Sequence, residues 1–132
     1  MSEQRNRTVA EQLLRLVASG DLDGALALYQ DDAVADWPQS GERVVGRKNI
    51  LAVLRNYPGG TPTGTLRAVR AAGDLAVGET LVTYPDGTRW FTAEIFEFQD
   101  GKVARETAYF GQAFEAPEWR AKWVESVSKE ES

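Results

Sequence analysis

The sequence contains neither histidine nor cysteine. Imidazole bases, thiolate nucleophiles, disulfides and the usual zinc sites are therefore closed to it, and any proton transfer falls to Asp, Glu, Tyr, Lys or Arg. Three glutamates stand out by their setting: Glu79, Glu94 and Glu106 each sit in a run rich in β-branched and aromatic residues. Strand side chains alternate between faces. Glu79 thus shares a face with Val77 and Leu81, Glu94 with Trp90, Thr92, Phe96 and Phe98, and Glu106 with Ala104, Ala108 and Phe110. Carboxylates are rarely buried in such company without a partner. Three of them do not make an oxygen-only metal centre, which usually needs six or more ligands. Neither a metal nor a cofactor is expected.

Elements must hold these groups in place, and 132 residues are enough for one domain with a real core. Fifteen Lys and Arg against twenty Asp and Glu leave a net charge of −5, and no basic block is concentrated enough for nucleic acid or an anionic membrane. The hydrophobic fraction of 42% is that of a globular chain. The start is polar without an apolar export core, and no stretch approaches the ~20 apolar residues of a membrane span. A cytoplasmic protein of one domain, 1–132, is expected, with frayed ends at 1–7 and 126–132.

The first half reads as helical. Thr8 and Glu11 form a capping box, and Val9, Leu13, Leu16 and Val17 make one apolar stripe that Ser19-Gly20 ends. Asp21 caps a shorter helix through Tyr29, and Ala33–Trp37 reads as a strand ended by Pro38. Gln39–Gly46 reads as a loop before a third helix near Lys48–Asn56, closed by Tyr57-Pro58-Gly59-Gly60. The second half changes to strands: Thr65–Ala71, Leu75–Thr83, Thr88–Phe98 and Lys102–Phe110, joined by Gly73-Asp74, Pro85-Asp86-Gly87 and Asp100-Gly101. Short turns make these an antiparallel meander. Pro117 then opens a closing helix that puts Trp119 and Trp123 on one face, covering the sheet or a pocket mouth. Helices first and strands afterwards mean an α+β fold.

The order Gly20-Asp21-Leu22-Asp23-Gly24, Tyr29-Gln30-Asp31-Asp32-Ala33-Val34 and Val45-Gly46-Arg47, followed by the Asp-Gly-Lys-Val hairpin, resembles the nuclear transport factor 2-like superfamily, in its SnoaL-like and ketosteroid-isomerase-like branch. The resemblance implies a cone, with three helices closing a strongly curved antiparallel sheet around a pocket and the other sheet face often making a dimer. It also implies departures. The tyrosine donor of ketosteroid isomerases falls on Leu13, their base aspartate on Trp37 beside Asp36, and their second oxyanion acid on Glu94. The histidine of the dehydratase-like relatives is absent, and the aspartate of many SnoaL-like cyclases is Gly111.

Carried along the strands, the resemblance turns Glu79, Glu94 and Glu106 inward. Desolvation by Trp37, Trp90, Phe96 and Phe110 would raise one carboxyl's pKa while a neighbour stays ionised, giving catalytic Glu94 and Glu106 with Glu79 in support. The structural alternative bridges each glutamate to an arginine such as Arg47, Arg67, Arg89 or Arg105, or leaves it in water at the mouth. Trp37, Tyr57, Val77, Trp90, Phe96 and Phe110 are the expected pocket residues, although Trp37 and Tyr57 also suit ordinary core packing. Asp36 reads as an outward charge. Val82, Tyr84, Phe91, Ile95, Thr107 and Tyr109 would form the outer, dimer-making face. Two functions fit: a cofactor-free acid-base enzyme on a small apolar or aromatic molecule, or a non-catalytic module that binds such a molecule or a protein.

Overall fold

A computed structural model describes residues 2–127. Its elements are α1 (Ser2–Ser19), α2 (Leu22–Leu26), β1 (Tyr29–Trp37), β2 (Glu42–Val45), α3 (Arg47–Arg55), β3 (Thr63–Ala72), β4 (Leu75–Thr83), β5 (Arg89–Gln99), β6 (Lys102–Gln112) and a final 3₁₀ turn at Glu118–Trp123. All six strands form one sheet in the order β2-β1-β6-β5-β4-β3. The β3–β6 meander is antiparallel, as its turn residues demand, and β1 joins β6 in parallel. Asp100 and Gly101 turn the last hairpin with φ of 54° and 79°, the left-handed pair that matches strand twist in a two-residue loop. Register shifts at Leu66/Ala68 and Glu97/Phe98 bend the sheet. The helices fill the concave side, and Leu13, Phe96 and Val103 are almost completely buried between them and the strands.

Four expectations need correction. α1 begins at Ser2, not Thr8, because its first turns are held by the β3–β4 turn: the Asn6 amide donates to the Gly73 carbonyl at 3.3 Å and Glu3 accepts from the Gly73 N–H at 2.9 Å. Thr8 is consequently interior to the helix, and its hydroxyl donates back to the Gln4 carbonyl at 3.0 Å. Asp21 does cap α2, accepting from Gly24 N–H at 3.0 Å, but that helix stops at Leu26 and Tyr29 starts β1. The stretch read as a loop at Gln39–Gly46 contains β2, an edge strand paired with β1 through Val34↔Val45 and Trp37↔Glu42. Lastly, Glu118–Trp123 is a 3₁₀ turn, in which residues four apart do not share a face. Trp119 and Trp123 are 73% and 70% exposed, covering neither sheet nor pocket. The frayed end expected at 126–132 lies mostly outside the described residues. Among those residues no helix is long and apolar enough to cross a membrane.

Candidate functional site

Between α1, α3 and the concave sheet face lies a cavity of about 380 Å³. Its apolar walls come from the inward stripes of the helices, Leu13, Leu14 and Val17 on α1 and Ile50, Val53 and Leu54 on α3. Its floor is set by strand register. Gly78↔Glu94, Thr80↔Thr92 and Val82↔Trp90 put the even-numbered residues of β4 on the same face as Glu94. Across the next seam, Glu94 faces Ala108 and Phe96 faces Glu106. Glu94 and Glu106 are thus diagonal neighbours on adjacent strands, with Cβ atoms about 7–8 Å apart or less.

Both carboxyls line the cavity, each with only a fraction of its surface open to that interior. Burial raises the pKa of Glu94 well above the ordinary carboxylate value, and the charge of Glu106 raises it further. Glu106 is also raised by burial, but the Tyr29 hydroxyl donates a hydrogen bond to its Oε1 and pulls the other way. Among the described residues no cation contributes to either shift. The pair therefore titrates together, with the proton favouring Glu94 and the negative charge favouring Glu106. Tyr29 itself is pushed well above its usual pKa, first by burial and then by Glu106, so its hydroxyl stays a donor.

At the mouth, the Tyr57 and Tyr84 rings lie 5.1 Å apart, and burial, followed by the hydrogen bond with Tyr57, raises the Tyr84 hydroxyl above its ordinary pKa. Trp90 stands behind this wall, edge-on to Tyr84 at 5.7 Å, with its indole N–H donated to the Thr88 hydroxyl at 3.0 Å. Trp37, Tyr57 and Phe110 line the cavity as expected. Phe96 lies in the fully buried core.

Glu79 and Val77 do not belong to this site. β4 is one residue out of the expected phase, so both point to the convex face, where Glu79 is paired with Arg70 at 2.6 Å. The same phase error turns Val82 and Tyr84 into the cavity instead of onto the outer face. Leu75, Val77 and Leu81 occupy the outward phase of β4, while the inward phase carries Ala76, Gly78 and Thr80 before Val82, because Leu14 of α1 packs against Gly78. Asp36 is outward and held by Arg43 at 2.6 Å and Arg105 at 2.8 Å; the Arg43 hydrogen bond is the main reason its pKa falls. Arg47 bridges Asp31 at 2.7 Å instead of a glutamate. Tyr29 is the residue missed: its placement at the end of α2 hid that β1 pairing with β6 brings it to Glu106. A second hollow of about 370 Å³ lies at the convex face beside Arg67, Glu79, Phe91 and Tyr109. It is the shallower of the two and contains neither member of the carboxyl pair.

Helices packed on a strongly curved sheet are the architecture of the NTF2-like class. The chain belongs to the SnoaL-like domain family, whose model matches residues 10–106. It is similar to an NTF2-like protein of unknown function from Burkholderia xenovorans, with 39% identity over 97% of this chain and 99% of that one and a TM-score of 0.88. A candidate ketosteroid isomerase from Kribbella flavida is 28% identical over 98% and 95% of the two chains, with a TM-score of 0.86. An LEH-like epoxide hydrolase from M. tuberculosis, 19% identical over 84% and 86% with a TM-score of 0.72, shares the fold. No curated protein matches the chain significantly.

Proposed function

We propose that the protein is a cofactor-free acid-base enzyme that isomerises, cyclises or hydrolyses a small molecule with an apolar or aromatic body, working as a cytoplasmic homodimer. The observation that carries this reading is the pair itself: two carboxyls on the floor of a mostly apolar cavity, one steadied by a tyrosine, with no cation among the described residues contributing to the shift of either. Glu79, on the convex face, is instead placed beside Arg70. In the proposed roles Glu106 is the base, its carboxylate taking a proton from substrate carbon or water while Tyr29 holds it in orientation. Glu94 is the acid, giving its proton to a basic atom of the substrate.

The similarity to a candidate ketosteroid isomerase from Kribbella flavida supports an isomerisation, but not by the residues that the family resemblance assigns to steroid isomerases. Leu13 lines the cavity where the resemblance puts the tyrosine donor, Trp37 stands at the base position, and Asp36 faces outward. Steroid isomerisation by the usual groups is therefore not the reading adopted. Infrared difference spectra of wild type against Glu94→Gln, taken from about pH 5 to 8, test the protonation state directly. A protonated-carboxyl band that persists above the ordinary carboxylate range and vanishes in the variant supports the acid role. A fully ionised Glu94 at pH 5 would leave a binding module as the better description.

A further inference from the structure

The titratable groups facing Glu94 are Glu106 on β6, Tyr29 on β1, Tyr57 beyond α3 and Tyr84 beyond β4, with Glu42 of β2 at the rim. α1 and β3 present uncharged side chains to the same space, and no lysine or arginine is among the described residues that line it. Every charge the cavity can carry is therefore negative. We infer that its natural occupant is an organic cation, an ammonium group on an apolar body, seated with the charged head between Glu94 and Glu106.

Two observations on independent residues converge on this. The carboxyl pair holds negative charge in a poorly solvated space, which repels an anionic ligand and gives a cation its counter-ion. Trp37, Tyr57, Tyr84 and Phe110 line the cavity, and aromatic rings are groups that can attract ammonium. Thr80 and Thr92 also line the space, and neither brings a charge that would compete with the carboxyl pair for a cation. The inference rests on the proposed reading that this cavity is the ligand site, and it names the ligand class. An amine that enters neutral takes the proton of Glu94: the O–H bond breaks, an N–H bond forms, and the ammonium remains between two carboxylates. Relative to ammonium in water, binding then releases one proton.

Calorimetry with cyclohexylammonium, cyclohexanol and cyclohexanecarboxylate at about pH 7 tests it, because the three probes share a body and differ in charge. The ammonium should bind at least about tenfold more tightly than the alcohol, and the carboxylate not at all. In wild type, ammonium affinity should climb by up to about tenfold per pH unit while Glu94 remains protonated in the free protein, with about one proton released on binding. Glu106→Gln, confirmed as folded by circular dichroism, should lose the ammonium preference. Equal or tighter binding of the alcohol, or no ammonium binding at millimolar concentration, would overturn the inference. Either result would leave the infrared band of Glu94 untouched, so it would not count against the acid-base reading. An ionised Glu94 with a retained ammonium preference would do the reverse.

Discussion

At Glu94 two costs compete, that of holding a charge where little water reaches and that of holding a proton above the usual carboxylate pKa. The coupling with Glu106 decides between them, since two diagonal neighbours cannot both ionise cheaply and only Glu106 has the Tyr29 donor. Because the folded pKa of Glu94 is raised, the folded state binds more protons than the unfolded one between the two pKa values. Its stabilising contribution is complete below the unfolded pKa and is lost as pH climbs towards the folded one. Glu94→Gln has no such proton to lose. Urea melts at pH 5 and 8 should therefore show wild type losing ground to Glu94→Gln as pH rises, by at most about 1.4 kcal/mol per pH unit for one proton. A constant wild-type advantage across that range would mean a structural ion pair.

Tyr29→Phe asks the complementary question of Glu106. Without the hydroxyl, the carboxylate loses the one interaction that lowers its pKa, so Glu106 should titrate higher and stability near neutral pH should fall by about 1–3 kcal/mol, the usual cost of unpairing a buried charged acceptor. Carboxyl carbon NMR reads the first effect and urea melts the second. An unmoved Glu106 titration would show that Tyr29 packs beside it without governing its charge.

Among the elements, β4 decides what the floor of the cavity can be. Gly78 lies directly beneath Leu14 of α1: a Cβ built there would sit 2.4 Å from Leu14 Cδ1. Gly78→Ala should cost about 1 kcal/mol, at the low end of overpacking, because the atom that must move is the tip of a side chain that can retreat into the cavity. The loss of affinity for an apolar probe should then exceed the loss of stability. Equal binding by wild type and variant would show that the helix, not Leu14, had yielded.

The same strand shows why some of the site was readable beforehand and some was not. The meander boundaries follow from Gly73, Gly87 and Gly101 and from alternating β-branched residues, all local signals, whereas the inward turn of Glu94 and Glu106, which both line the cavity, came from the family resemblance. The face of β4 was legible in neither, because its inward residues Ala76, Gly78 and Thr80 are small where α1 packs, a tertiary demand that inverts the usual hydrophobic pattern there. β2 was hidden for a related reason. An edge strand reading Glu42-Arg43-Val44-Val45 has little apolar character of its own and is specified by its partner β1. The start of α1 was hidden as well, since Glu3 and Asn6 hold it through contacts with Gly73, some seventy residues away in sequence.

For the molecule as a whole, the unexplained feature is apolar surface outside the cavity. Phe91, Ile95, Thr107 and Tyr109 share the convex face, where the Arg67 guanidinium lies 5.1 Å over the Phe91 ring, and Tyr109 is 46% exposed. Phe114, Trp119 and Trp123 add further exposed rings along the C-terminal segment. A dimer through the convex face would cover a patch of this kind, and a stable one buries about 1,600 Å² in total. Light scattering at micromolar concentration should therefore give twice the chain mass of 14.6 kDa, and the thermal midpoint should rise with protein concentration. Tyr109→Glu should shift the mass towards the monomer without moving the titration of Glu94, which opens on the other face. Trp119→Ala separates the two apolar surfaces. As the indole is 73% exposed in the single chain, its removal from a monomer should cost under about 1 kcal/mol. A larger loss that grows with protein concentration would place Trp119 inside the subunit contact. A wild-type monomer at those concentrations would remove the dimer and leave the exposed rings to another partner.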